Sequence, residues 1–352
     1  MKLSRKLVVS VTCVAVVCGV AVLLPAYNRK LIGRKLAEAV RACQAKAGRG
    51  VADAQVRLGN MFYYGRGVPR NYVEAARWYR LAADQDYAGG QYSLGYMYHH
   101  GKGVPQDYGE AVRWYRKAAG QGDAKAEYSL GSMYCGGHAV PQDYGEAAAW
   151  YRKAAEQGYA HAQHSLGFLY RHGEGVPRDY AQAVGWYRKS ADQGDTLAQS
   201  NLGFMYSHGE GVTQDYAQAV RWYRKAAEQG DMVAQCNLGF MYAEGKGVPR
   251  LYSEVVIWYR KAAEQGDVYA QHGLGLSYYH GEGVPPDPVQ AHMWMSLASS
   301  RASGDLKYDC LRDLDLAARE MTPAQIAEAE RLAKAWKPGG QPAAASERES
   351  QR

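Results

Sequence analysis

Between Ala88 and Asp123 the apolar positions fall twice into helical spacing. Leu94, Met97 and Tyr98 stand at i, i+3 and i+4, one stripe of an α-helix. Tyr108, Ala111, Trp114, Tyr115, Ala118 and Ala119 form a second stripe. Between them lies Gly101-Lys102-Gly103-Val104-Pro105, with two glycines for backbone angles that other residues resist and a proline that cannot continue a helix. Asp107 with Glu110 three residues later has the spacing of a capping box. Gly122 is placed to end the second helix, and Asp123 to cap the next. The pattern predicts helix A, a tight loop, then helix B. The glycine of Leu94-Gly95 removes a side chain from helix A, and the small Ala111 and Ala118 do the same on helix B, so the two backbones can approach closely. Trp114 and Tyr115 fill the space beside them.

The pattern recurs without insertion. Trp78, Trp114, Trp150, Trp186, Trp222, Trp258 and Trp294 stand 36 residues apart, and the eighth tryptophan is Trp336. Leu-Gly pairs at Leu58, Leu94, Leu130, Leu166, Leu202, Leu238 and Leu274 keep the same interval. A hairpin of two helices cannot bury its own apolar face, so a fixed period of this size means stacked neighbours. The motif A-x-A-Q-x-x-L-G-x-M-Y-x-x-G-x-G-V-P-x-D-Y-x-x-A-x-x-W-Y-R-K-A-A-x-Q-G-D resembles the Sel-1-like repeat, a relative of the tetratricopeptide repeat. The resemblance implies an all-α fold, a right-handed α/α superhelical solenoid of seven 36-residue helix-turn-helix repeats over residues 52–305. The tetratricopeptide period is about 34, and the longer Gly-x-Gly-Val-Pro loop accommodates the difference. Departures are local: Ala139 replaces the second loop glycine, Thr213 the loop proline, and Leu251 the helix B cap.

The flanks differ from the array. Leu7 to Asn28 carries no charge, and its strongly apolar part, Leu7 to Leu24, is 18 residues long. That is the lower edge for a membrane span and longer than the usual core of a signal peptide. Leu24-Pro25-Ala26 puts leucine where a cleavage site needs a small residue, so residues 1–28 read as an uncleaved anchor, with a cleaved signal peptide as the rival. Basic residues flank both ends, so charge does not set the orientation. An extracytoplasmic (periplasmic) array is the expectation, because a signal-anchor normally leads to translocation; secretion after cleavage or a cytoplasmic face are the alternatives. Residues 29–51 hold a lead-in helix, 306–336 capping helices that hide the last apolar face, and 337–352 a disordered tail. Thr322, Pro323 and Gln325 spell a helix start.

Charge does not point to nucleic acid. The net charge is +7, yet residues 1–41 hold eight Lys/Arg and one acidic residue, which leaves 34 basic and 34 acidic residues in the remainder. The excess sits beside the apolar segment, where it can meet anionic lipid. Arg116-Lys117 and its equivalents read as a solvated helix end rather than an anion-binding stripe. Cys135 and Cys236 lie three repeats apart, beyond the reach of about 7 Å that a disulfide allows, and only Cys236 with Cys310 could pair, if the terminal cap folds back. The cysteines read as small buried fillers. His100, His172, His208 and His280 share one loop position, but successive repeats are offset by about 8–10 Å, so their ligands do not converge and no metal is expected. The loop glycines lack both the dinucleotide and the phosphate-loop patterns, and no catalytic motif stands in a fitting context. No cofactor and no enzymatic activity are expected.

The candidate binding residues lie on the side of helix A away from the Leu-Met-Tyr stripe. Positions two before and two after each Leu supply Tyr92, Tyr96, Tyr128, His164, Phe168, Phe204, Phe240 and Leu276. The position two after lies about 200° around the helix. In related solenoids helix A lines the concave surface, so these residues would form an aromatic row along a groove; the other reading is that the rings pack between adjacent A helices. Sel-1-like proteins scaffold complexes, often at membranes. The resemblance therefore implies a membrane-anchored adaptor that binds a protein or peptide in its groove. The alternative is an envelope enzyme or small-ligand binder acting on cell-wall material, which needs converging acid, base or metal groups.

Overall fold

The computed structural model describes residues 26–339. The anchor segment Leu7–Leu24 and the tail past Gly339 lie outside the described residues. Among the described residues there are seventeen helices and no strand, and no helix is long and apolar enough to cross a membrane. The chain divides into two compact units, one ending at Ala154 and one beginning at Ala155. The first holds α1 (Ala26–Gly48), α2 (Ala52–Tyr64), α3 (Tyr72–Ala83), α4 (Ala88–His100), α5 (Tyr108–Gly120), α6 (Ala124–Gly136) and most of α7 (Tyr144–Glu156). The second holds α8 (Ala160–His172), α9 (Tyr180–Asp192), α10 (Thr196–His208), α11 (Tyr216–Glu228), α12 (Met232–Glu244), α13 (Tyr252–Gln265), α14 (Val268–His280), α15 (Pro288–Arg301), α16 (Gly304–Arg319) and α17 (Pro323–Ala335). From α2 to α15 the helices alternate as A and B, making seven hairpins of an α/α solenoid.

Each hairpin is closed by the pair that the sequence predicts. The leucine of every Leu-Gly pair is buried. A Cβ placed on Gly59, Gly95, Gly131, Gly167, Gly203 or Gly239 would lie 2.5–2.9 Å from the ring of the helix B tyrosine that directly follows the tryptophan, Tyr79 through Tyr259. The missing side chain thus makes room for an aromatic ring rather than bare backbone. The second loop glycine meets the preceding repeat: a Cβ on Gly103 would strike the Tyr72 carbonyl, and one on Gly211 the Tyr180 carbonyl. Both positions also have positive φ, so glycine is needed there twice over. Ala139, which replaces this glycine, is held at φ 58°, a conformation that costs an L-residue about 1 kcal/mol.

Helix starts are set by side chains. Asp107, Asp179, Asp215 and Asp287 each accept from the backbone N–H three residues on, as do Asp123, Asp195, Asp231 and Asp267 on the A helices. Leu251 offers α13 no such bond. The reciprocal half of the capping box at Asp107 is absent. Glu110 turns instead to its own helix, accepting from Trp114 Nε1 at 3.1 Å and Arg113 at 2.9 Å. Glu254 does the same for Trp258 at 2.9 Å. A partly buried indole N–H needs an acceptor more than an exposed cap amide does, because water serves the latter. The full box appears at Thr322 and Gln325.

Two polar contacts tie successive repeats. In helix A a buried glutamine donates to the last turn of the preceding B helix: Gln55 to the Ala47 carbonyl of α1 at the array's start, then Gln163 to Ala155, Gln199 to Ala191, Gln235 to Ala227 and Gln271 to Ala263, at 3.0–3.3 Å. Its own oxygen accepts from a glutamine one loop on: Gln85 to Gln55, Gln121 to Gln91, Gln193 to Gln163, Gln229 to Gln199 and Gln265 to Gln235, at 2.7–2.8 Å. In addition Arg80, Arg116, Arg188, Arg224 and Arg260 donate to the hydroxyls of Tyr98, Tyr134, Tyr206, Tyr242 and Tyr278 on the next A helix. Leu81 follows Arg80, but from the second repeat to the sixth a lysine follows the arginine position and lies over the tryptophan of its own turn, 4.6 Å away for Lys117 and Trp114, and 4.0–4.2 Å for the Lys153, Lys189, Lys225 and Lys261 pairs. The Arg-Lys pair is therefore engaged in packing and is not simply a solvated helix end.

At the C-terminal end the series stops for a local reason. Helix α16 starts one period after α14, so Cys310 and Leu311 occupy the Leu-Gly positions. Cys310 is buried, whereas Leu311 puts a branched side chain where a helix B tyrosine would have to enter. Helix α17 packs instead on α15, with Trp336 6.3 Å from Trp294. His272 with Asp313 at 3.0 Å, and Tyr279 with Glu320 at 2.9 Å, fasten the end of the cap to α14. Arg301 stands where the next ladder glutamine would and donates to the Gly266 carbonyl, leaving Gln271 Oε1 buried without a partner. Among the described residues Cys43, Cys135, Cys236 and Cys310 form no disulfide, and burial pushes the Cys310 thiol up to about 11.

Candidate functional site: the outer face of the A helices

The eight candidate residues fall into two sets with different surroundings. Tyr92, Tyr128 and His164, two positions before the leucine, turn back toward the hairpin. Their rings lie 5.9, 5.5 and 5.6 Å from those of Tyr115, Tyr151 and Tyr187, the tyrosines seated against the glycines. His164 also meets Asn201 at 3.2 Å, and desolvation lowers its pKa, so it sits there as a neutral ring.

The residues two positions after the leucine turn outward. Phe168 and Phe240 are 40% and 44% exposed; Tyr96, Phe204 and Leu276 are half-buried. Tyr96, Phe168 and Phe204 each lie against a histidine four residues later, His100 at 4.2 Å, His172 at 4.2 Å and His208 at 3.9 Å. The loop histidines therefore extend aromatic surface on their own helices. Among the described residues no three His, Cys, Asp or Glu side chains gather in a metal-holding group.

Several neighbours on this face escape a search that follows only the leucine register. Leu197, Val233 and Tyr269, seven residues before Phe204, Phe240 and Leu276, are exposed at 56%, 52% and 66%. Seven residues is nearly two helical turns, so each pair shares a face. Asn201 and Asn237 stand between the members of their pairs. The spacing was available in the sequence, but first-turn residues look like ordinary exposed hydrophobes when each is taken alone. Arg171 was not visible at all. Its guanidinium lies 4.3 Å from the Phe204 centroid and pairs with Glu210 at 3.1 Å, although Glu210 is a whole repeat away. Lys246 covers the Phe240 ring at 5.1 Å. The second unit thus presents apolar rings flanked by amides and cations, able to receive apolar side chains and backbone polar groups together.

Comparisons with known proteins agree with this architecture. The Sel1 repeat model matches residues 52–87, 88–123, 124–159, 160–195, 196–231, 233–267 and 268–303. A solved Sel1 repeat protein from Oxalobacter formigenes is 35% identical, with 80% of this chain and 82% of that one covered and a TM-score of 0.62. A protective antigen present in uropathogenic Escherichia coli strains, described as displaying an SLR fold, is 32% identical over 85% of this chain and 86% of its own, with a TM-score of 0.49. No curated protein matches the sequence. With seven matched repeats spanning most of its length, the chain belongs to the Sel1 repeat family, whose members typically mediate protein–protein interaction on a scaffold that is typically non-catalytic.

Proposed function

We propose that this chain is a membrane-anchored adaptor whose A-helix face takes an extended segment of a protein partner. The observation that carries this reading is the row of outward rings in the second unit. Phe168 and Phe240 leave over a third of their surface in water. With Leu197, Val233 and Tyr269 they supply apolar sites repeated along successive A helices, the arrangement an extended chain can follow with alternate side chains. Attachment through Leu7–Leu24, and an extracytoplasmic location for the array, extend the reading from the sequence alone.

Peptides selected from a random display library against the full chain test the face. We expect the selected peptides to lose binding when Phe168, Phe204 and Phe240 are all replaced by serine. Retained affinity in a folded triple variant would contradict the proposal. Protease digestion of a C-terminal tag after permeabilising only the outer barrier tests the location: digestion supports the envelope, and protection until lysis supports the cytoplasmic face.

A further inference from the structure

We propose a second docking surface, on the loop edge of the first two repeats, that receives an acidic extended segment of a protein. It rests on the reading that the array binds protein segments, but it uses none of the phenylalanines of the second unit. Three cations are held there on tyrosine rings. Arg66 lies 4.7 Å from the Tyr64 centroid, and Arg70 5.6 Å from that of Tyr72. Lys102 donates to the Tyr63 hydroxyl at 2.7 Å and faces the rings of Tyr63, Tyr72 and Tyr96 at 5.1, 5.7 and 5.8 Å. The Tyr72 ring thus serves two positive groups at once. Among the described residues none of these three cations forms an ion pair with a carboxylate, whereas Arg57, Arg77, Arg113 and Arg171 all do.

Ring contacts fix the charge in place but leave most N–H donors free. Two cations beside one ring repel each other, and an anion between them relieves that cost. Carboxylate suits a guanidinium because the fork can donate two parallel bonds. The charges are spread over two successive loops and do not turn to one point, which fits several carboxylates along a chain better than a single phosphate. Tyr64, 58% exposed, offers a ring to the apolar parts of the same segment. The matching loop position carries Glu174, Glu210 and Glu282 in three later repeats and Lys246 in a fourth, so two successive positive loops occur only at Arg66 and Lys102.

The test uses the full chain in detergent and a fluorescein-labelled peptide of alternating Glu and Gly, followed by anisotropy at low salt. A Lys-Gly peptide, inorganic phosphate and phosphatidylglycerol vesicles serve as comparison probes. The expected result is binding of the Glu-Gly peptide that weakens with salt, about tenfold lower affinity in the Arg66→Ser, Arg70→Ser, Lys102→Gln variant, and no change in the Phe168, Phe204, Phe240 serine variant. Arg66→Ser with Arg70→Ser alone alters only exposed side chains and is expected to lose about threefold, which guards against misfolding at Lys102. Equal affinity in these variants, or no binding of the Glu-Gly peptide, overturns the proposal. Vesicle binding that depends on the three cations without peptide binding overturns it in favour of a lipid surface, and tighter binding of phosphate than peptide overturns it in favour of a small anion.

Discussion

The two compact units share one motif yet differ where the motif leaves freedom. In the first, the outward position two after the leucine holds Asn60, Tyr96 and Ser132, and the loop position between the glycines holds Arg66, Lys102 and His138. In the second, the same positions hold Phe168, Phe204, Phe240 and Leu276, and Glu174, Glu210, Lys246 and Glu282. Meanwhile the leucines run through both, as do the glycines beneath a tyrosine (or, for Gly275, Met295), and the ladder glutamine recurs in every repeat but the third, where Glu127 replaces it. The difference teaches that stacking and recognition are carried by separate positions of each repeat. One set holds neighbours together and hardly varies; the other sets the charge and aromatic content of each stretch.

The largest effect should come from breaking the shared set. Leu202→Ala removes a fully buried side chain and is expected to cost about 3 kcal/mol in urea unfolding. Gln235→Leu is expected to cost about 2 kcal/mol, because it removes one bond to the Ala227 carbonyl and one from the Gln265 amide together. Gln271→Leu sharpens that test: its oxygen is already unpartnered, so the loss should be about half as large. Equal losses at the two positions would mean that the ladder adds nothing beyond one carbonyl bond. Where the chain departs from its own motif, repair should stabilise. Leu251→Asp supplies the missing cap of α13, and Ala139→Gly releases the φ of 58°, each with a gain of about 1 kcal/mol in the same assay.

A further change is a pH dependence. Burial, with His100 and His138 nearby, lowers the His99 pKa from 6.5 to about 4. The unfolded chain takes up the proton first as pH falls, so the stability that neutral His99 supports is present above 6.5 and is lost progressively down to about 4. A His99→Gln variant should therefore show a flatter fall of Tm across that window.

Much of the stacking could be read from residue spacing. The Leu-Gly pairs, loop glycines and Asp caps are each decided within one repeat, by local geometry that residue type alone reveals. What could not be read depends on a neighbour. Gln199 looks like a polar surface residue until the preceding helix supplies the Ala191 carbonyl, and Arg224 looks like a solvated helix end until Tyr242 arrives from the next repeat. Glu110 looks like a cap partner because spacing cannot weigh the claim of a buried indole. On the candidate face, period placed the rows but not their depth. Tyr92 and Phe168 both lie outside the Leu-Met-Tyr stripe, yet only the former has a tyrosine beneath it to fold back against.

Urea unfolding of Phe168→Ser, Phe204→Ser and Phe240→Ser, each made singly, tests most directly whether the outward row is free for a partner. The account predicts a loss of about 1 kcal/mol or less at Phe168 and Phe240, as for residues outside the core, and about 2 kcal/mol at Phe204, which is half-buried against the core. A loss of about 3 kcal/mol or more at each, the cost of truncating a core phenylalanine, would mean that the rings hold adjacent A helices together, and would contradict the separation of stacking from recognition.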